Sequence, residues 1–535
     1  MRVLAVTLRT TLAAVLGLFA AAVAGADHPW WAAMTVFLVA QPTRGLLLER
    51  AIARLAGTAV GAGAGYLMLR GLGGAQVPTL IVLTGWLALC AAGGSVLRHF
   101  RTYMFVLAGY SAAIVVLPRL AHGGEGPFVA ADRLWCTVIG ILASTLIALG
   151  PRGSTRGDTV AGHYAALVGR VLDRVERYLA GTGVPASDAL AVEIARLDDA
   201  VDDAAAGSLR ERRTARRVRR TTGLLLETVA LTASSQGVTQ AAISGETGVQ
   251  RVTALRDAAA VAGQAALAST LDQLALWMGT PDRRLRWRRQ WAIVSAPRAA
   301  RAAARPIVAV TLASLLWLTT DFGEGAVMTM TAALFTSLFS SHAHGNQAMR
   351  DVLAGACAGV VLGAAYRLAI LPHVAGIVAT TLSLVPMLLA GAWLMGRRST
   401  AKMAIDLTLC FLLVSRPFTP PSSLFATIQA AAAIVTGVLI AAATFWLVLP
   451  ASDGRRTRAL RRRAIRLARR IGHDADRDWY RRWGVRHAAL YLASHAQVAT
   501  TLTLLRRAAA ARGEGARVRA IARPRYQPPT TPPDG

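Results

Sequence analysis

Apolar runs recur along this chain in two sets of six, and polar positions gather between the sets and after the second. The first set lies at about 4–25, 30–43, 48–69, 77–96, 102–120 and 128–149. The second lies at about 305–320, 325–342, 349–371, 374–396, 402–417 and 423–449. A helix that crosses a bilayer needs ~20 mostly apolar residues and closes its backbone hydrogen bonds within itself. The pattern therefore predicts twelve membrane-spanning helices, with 30–43, 305–320 and 402–417 short enough to need tilt, a break or an extension. The expected fold class is all-α, a polytopic membrane protein. Its expected domains are a first six-helix transmembrane bundle at 1–150, a cytosolic helical domain at 151–304, a second six-helix bundle at 305–450 and a basic helical tail at 451–535 ending in a disordered Pro-rich stretch.

The two apolar sets resemble one another. Trp31, Met34 and Thr35 precede Arg54 and then Gly57, Gly61 and Gly65; Met328 and Thr329 precede Arg350 and then Gly355, Gly359 and Gly363. Each glycine set has a spacing of four, so it lines one helix face and admits a neighbouring helix at close range. An even number of spans per set keeps the orientation, so duplication gives parallel repeats about an axis along the membrane normal.

The intervening segment has helical periodicity. Val168, Val171, Leu172, Val175 and Leu179 form one stripe, and Leu190, Ile194, Leu197 and Val201 another. Gly181 to Pro185 and Gly279 to Pro281 read as breaks. Basic residues with Trp287 and Trp291 precede the second apolar set, a mixture suited to lipid headgroups.

Charge fixes a direction. The 535 residues carry 59 basic and 29 acidic side chains, a net +30, and Lys402 is the only lysine. Such a charge occurs in nucleic-acid binders, but here it flanks apolar spans, and the positive-inside rule accounts for it without a nucleic-acid partner. With the N-terminus inside, inner loops receive Arg44, Arg50 and Arg54, then Arg98 and Arg101, then Arg152 and Arg156. In the second set they receive Arg301, Arg305, Arg350, Arg397, Arg398, Lys402 and the run from Arg455 to Arg470. Outer positions receive only Arg70, Arg119, Arg133, Arg367 and Arg416. The expected location is the bacterial cytoplasmic membrane, multi-pass, with both termini cytoplasmic. The first apolar run could pass for a signal peptide, but the second begins at once at Trp30, so an uncleaved span is expected.

Chemistry of the catalytic kind is not visible. Cys90, Cys136, Cys357 and Cys410 each fall inside a span, without CxxC spacing. There is no phosphate-binding GxxxxGK[ST] loop, and His342 and His344 are too sparse for a metal site. No enzyme activity, cofactor or metal is expected.

The stretch from His28 to Gly45 and on through Glu49 to Gly61 resembles the fusaric acid resistance family of aromatic acid exporters. Its motifs fall on Pro29, Trp30, Trp31, Met34 and Thr35, then on Gln41, Pro42 and Thr43, then on Arg54, Gly57, Thr58 and Gly61. The order of spans, soluble segment, spans and basic tail is also similar. The chain departs from the family's Arg-x-x-Glu near the sixth span: Arg133 is followed by Leu134, Trp135 and Cys136. The resemblance implies export of aromatic or other organic acids, driven by protons. An alternative is a passive organic-anion channel; another is a non-transport membrane scaffold that recruits partners through its basic helices.

An exporter of organic anions needs cationic or hydrogen-bonding groups, an aromatic surface and a titratable group. The candidates for substrate contact or gating are Trp30, Trp31, Gln41, Arg44, Arg54, Asp321 and Glu324. Trp30 and Trp31 also fit an interfacial aromatic belt. Gln41 and Arg44 also fit a cytoplasmic loop, and Asp321 and Glu324, with Asp27, also fit solvated turns. Asp406, inside the eleventh span, is the candidate for proton coupling, with pairing to Lys402 as the other reading. Arg367 and Arg133 are expected to reach outward to the interface. The expected partners are the lipid bilayer, a small organic acid and protons, not nucleic acid; a homodimer is compatible with the sequence.

Overall fold

The computed structural model describes residues 2–40, 44–97, 100–122, 126–149, 156–182, 187–205, 209–233, 248–279, 296–340, 345–397, 399–420 and 422–448, with isolated positions between 461 and 506. It is helical throughout, with no strand among the described residues. In chain order the helices are α1 (Arg2–Val23), α2 (Trp30–Val39), α3 (Arg44–Gly71), α4 (Gln76–Val96), α5 (Phe100–His122) and α6 (Gly126–Ala148). Then come α7 (Arg156–Leu179), α8 (Asp188–Ala205), α9 (Leu209–Leu231), α10 (Val249–Val261) and α11 (Ala265–Gly279). The last are α12 (Ala296–Thr320), α13 (Gly325–Ser340), α14 (Gly345–Ala365), α15 (Ile377–Met395), α16 (Ala401–Ser415) and α17 (Leu424–Ala443).

The chain divides into two compact units. One joins Met1–Gly153 with Arg289–Asp453, and the other joins Ser154–Arg288 with Gly454–Gly535. Among the described residues, nine helices are long and apolar enough to cross a membrane by length and composition: α1, α3, α4, α5, α6, α12, α14 with its extension, α15 and α17. The remaining three expected spans are shorter helices. α2 has 10 residues, α13 has 16 and α16 has 15. Nine of the ten residues of α2 are buried, so protein rather than lipid surrounds it. The apolar run at 305–320, short in the sequence, lies within a 25-residue helix, because alanine-rich turns before it continue the helix.

In the first unit the close approaches come from glycine. A Cβ on Gly57 would lie 2.6 Å from the Met104 carbonyl oxygen on α5. One on Gly61 would collide with Ala108 O, and one on Gly65 would lie 3.1 Å from Ala112 O. On α14, Gly355, Gly359 and Gly363 meet the carbonyls of Met403, Leu407 and Phe411 on α16 in the same register. Helix association in lipid has no hydrophobic drive of its own, so such backbone proximity and the dispersion contacts it permits hold the helices together. Two further glycines act alike: Gly140 of α6 sits on Ala32 and Thr35 of α2, and Gly437 of α17 on Met328 and Thr331 of α13. The two sets of helices interlock rather than standing as separate bundles. α1 packs on α15, and α12 packs on α4. One core contains Trp30, Val36 and Phe37 with Leu384, Leu388 and Leu412.

The second unit is a helical bundle, α7 to α11. Its core takes Leu167, Val171 and Val175 from α7, Ile194 from α8, Leu224, Leu225 and Val229 from α9, and Leu255 and Leu271 from α10 and α11. Val485, Ala489 and Leu505 of the tail complete this core. Arg486 of the tail donates to Glu227 from Nε at 2.7 Å and to Gln273 from Nη2 at 3.2 Å. The Pro-rich end, and Trp287 with Trp291, lie outside the described residues.

Candidate functional site

Arg54 stands one turn before Gly57 on α3. The absence of a side chain at Gly57 draws α5 against α3, and α5 presents two tyrosines seven residues apart, two helical turns on one face. The guanidinium of Arg54 donates from Nη1 to Tyr103 Oη at 3.0 Å and to Tyr110 Oη at 3.2 Å. From Nη2 it donates to Thr35 Oγ1 at 3.2 Å. Thr35 is set by its own hydroxyl, which donates to Trp31 O at 2.8 Å. Arg54 is fully buried, at 0% exposure, and its Nε has no hydrogen-bond partner.

Gly140 does for α6 what Gly57 does for α3. It seats α6 on α2 and brings Arg133, two turns earlier, over the Trp31 ring at 4.9 Å. Arg133 is 2% exposed, interacts with the Tyr110 hydroxyl and lies in the field of Arg54. Its Nε and Nη1 have no hydrogen-bond partner. The expectation that Arg133 reaches outward is corrected: Trp31 and Tyr110 hold it inside. Neither arginine forms an ion pair with a carboxylate among the described residues. A buried charge costs several kcal/mol unless it is paired. The indole face contributes about 0.5–2 kcal/mol of cation–π attraction, and the hydroxyls contribute dipoles but no neutralising charge.

Above this pair the chain closes with a clasp. His28 Nδ1 lies 2.8 Å from Asp132 Oδ2, and Asp132 also accepts the amides of Asp27 and His28 at 3.1 Å each. The His28 ring stacks on Trp31 at 4.3 Å and meets Trp30 edge-on at 5.1 Å. Trp30 and Trp31 are 4% and 8% exposed, so the belt reading is corrected: they face protein, where His28 and Arg133 engage Trp31.

Comparison with known proteins gives this arrangement a context. The fusaric acid resistance protein family matches residues 4–295 and 280–513. The chain belongs to the fusaric acid resistance family. It is 29% identical over 142 residues to the uncharacterized transporter YdhK of Escherichia coli K12, covering 26% of this chain and 21% of the relative. It is 30% identical over 164 residues to the p-hydroxybenzoic acid efflux pump subunit AaeB of Edwardsiella ictaluri, covering 28% of this chain and 25% of the relative. AaeB of Pantoea ananatis is 31% identical over 131 residues, covering 22% and 20%. The matches thus span about a fifth to a quarter of the length of these relatives. No solved structure matches the chain.

The other candidates of this family member are scattered. Gln41 lies outside the described residues, as does the side chain of Arg44 at the start of α3. Asp321 is exposed in a left-handed turn at φ 48°. Glu324 is half-buried, 3.8 Å from Arg416. Asp406 is 3% exposed on α16 and lies within the field of Asp351 on α14. Lys402 is exposed and forms no ion pair with it, which corrects the reading of a paired interface acid. Arg367 is also buried rather than outward: it donates to Ser415 O at 2.9 Å, Pro420 O at 3.0 Å and Ser422 Oγ at 2.6 Å, fastening the α16–α17 connection. His342 and His344 lie outside the described residues. Among the described residues no group of three His, Cys, Asp or Glu is placed to hold a metal.

The packing also shifts the correspondence between the two sets of helices. Thr35 matches Thr331, not Thr329, because both meet a glycine of the sixth helix of their set. Counting back from Gly57 and Gly355, Arg54 matches buried Val352, whereas Arg350 is exposed. Sequence reading placed Arg133 at the outer interface and passed over Tyr103 and Tyr110. Two signals were available: an arginine inside an apolar run, which is expensive and functional by default, and two tyrosines at a spacing of seven.

Proposed function

We propose that this multi-pass membrane protein is a secondary exporter of aromatic or other organic acids, coupled to protons. The observation that carries the reading is Arg54: a cation sealed among apolar helices with neutral hydroxyls as its hydrogen-bond partners favours an anionic ligand. Family membership and relatives named as efflux pump subunits support the same class. On this reading the two sets of six helices are parallel repeats in the bacterial cytoplasmic membrane, with both termini and the basic second unit cytoplasmic. Trp30, Trp31, Gln41, Arg44, Asp321 and Glu324 line or gate the path. Asp406 carries the proton: it is a buried acid without a lysine partner, on the helix matching α5.

The test is transport by the full chain in proteoliposomes loaded with a labelled aromatic acid. An imposed proton gradient accelerates efflux in the wild type, and Asp406→Asn removes that dependence while the protein remains inserted. Currents that reverse at the anion potential and ignore the proton gradient would replace the exporter with a channel. Wild-type flux equal to that of empty vesicles would end both.

A further inference from the structure

We infer that Arg54 and Arg133 together form an occluded seat for one carboxylate of a small aromatic acid. The inference rests on the exporter reading and names the ligand chemistry of its site. Two guanidinium groups share the Tyr110 hydroxyl between them, and each keeps at least one buried N–H without an acceptor. Such orphan donors are costly in a native interior, and charged ones most of all. Guanidinium forks match a planar carboxylate by paired hydrogen bonds, so one anion entering between them satisfies the donors and cancels charge in a single step. The Tyr103 and Tyr110 hydroxyls and the Trp31 ring border the pair, so phenol and indole groups lie beside a carboxylate seated there, a setting that suits an aromatic body.

A small cleft lies on the same helices. A cleft of about 50 Å³ runs between α1, α2, α3 and α6, with Arg9, Thr10 and Ser144 in its wall. It reaches Val36, the neighbour of Thr35, which is bonded to Arg54. Neither arginine lines the cleft, and both are buried. His28 and Asp132 are positioning residues here: the clasp holds Trp31, and Trp31 holds Arg133.

The experiment uses the purified full chain with three probes: benzoate, neutral benzamide of the same shape, and cyclohexanecarboxylate with the charge but no aromatic ring. Thermal unfolding with each probe is paired with flux in proteoliposomes. For the wild type, benzoate raises the melting temperature and saturates flux, benzamide does neither, and cyclohexanecarboxylate acts at least tenfold more weakly. Arg54→Gln and Arg133→Gln lose the benzoate shift and raise KM at least tenfold. Arg133→Lys, which keeps the charge but loses the fork, recovers part of both, and it serves in place of any variant that does not fold. If the wild type transports benzoate but the glutamine variants keep its KM and its thermal shift, the seat is overturned and the exporter reading stands. If cyclohexanecarboxylate matches benzoate, the aromatic assignment is overturned. If the wild type is neither stabilised nor transporting with any probe, the exporter reading fails and takes the seat with it.

Discussion

Arg486 and Arg133 are both arginines held among helices, and they differ in what faces them. In the second unit, Arg486 meets Glu227, 3% exposed, with N···O distances of 2.6–2.7 Å. Desolvation pulls the Arg486 guanidinium down to about 10, still far above physiological pH, so the arginine stays charged. In the membrane unit, Arg133 meets an indole, a phenol and a second arginine. The first arrangement is complete and serves to fasten the tail to α9 and α11. The second has no carboxylate partner among the described residues, and on the seat proposal that difference separates a structural arginine from one that serves a ligand.

Breaking the complete pair has the largest expected effect. Arg486→Met removes the guanidinium that faces buried Glu227, and should cost about 3–5 kcal/mol in the second unit, with much of the loss recovered by adding Glu227→Leu. A thermal melt followed by circular dichroism decides this; additive losses would mean the pair is not the source. Next comes the scaffold that positions the incomplete pair. Gly57→Ala drives a Cβ against the Met104 carbonyl and should cost about 1–3 kcal/mol, with weakened transport. Gly63→Ala, where nothing lies within 4 Å, should stabilise α3 by about 0.5–1 kcal/mol.

The sharpest contrast lies with Arg133→Met. Removing an uncompensated buried charge should leave stability within about 1 kcal/mol of the wild type or raise it, while transport falls. A loss as large as that of Arg486→Met would erase the distinction between the two sites. The smallest effect belongs to an exposed pair. Arg170 donates to Glu193 at 2.6 Å, and this bond holds the Glu193 carboxyl below its usual range. A carboxylate with a lowered folded pKa stabilises above its unfolded value and loses that contribution as pH falls through the folded one. Glu193→Gln should therefore cost under about 1 kcal/mol near pH 7. The difference should shrink as pH falls below about 4, the unfolded glutamate range, and vanish below the lowered folded pKa.

Comparison of the two helix sets within the membrane unit shows how a shared frame carries different chemistry. α3 with α5 and α14 with α16 meet through glycines in one register. Yet Arg54 is replaced by Val352, and Leu107, beside Gly57, by Asp406 beside the matching turn of α16. The frame repeats because backbone proximity depends only on the missing Cβ. The polar residues are free to diverge, because each is judged by its own pocket.

By itself the sequence determined what depends on local composition. Twenty-residue apolar runs make helices suited to lipid, glycines at a spacing of four mark a helix face, and arginine excess marks the flanks. It also carried the family motif through Trp31, Thr35, Arg54 and Gly57. It did not determine that α1 would pack on α15 and α12 on α4, that the tail would enter the second unit's core, or that Arg133 would turn inward to Trp31. Those outcomes rest on contacts between residues far apart in the chain, whose energies depend on distance and burial rather than on neighbours in sequence. A charged side chain inside an apolar run reads the same whether it escapes to the interface or is captured. Only the tertiary structure, by placing an indole and a tyrosine beside Arg133, decided which.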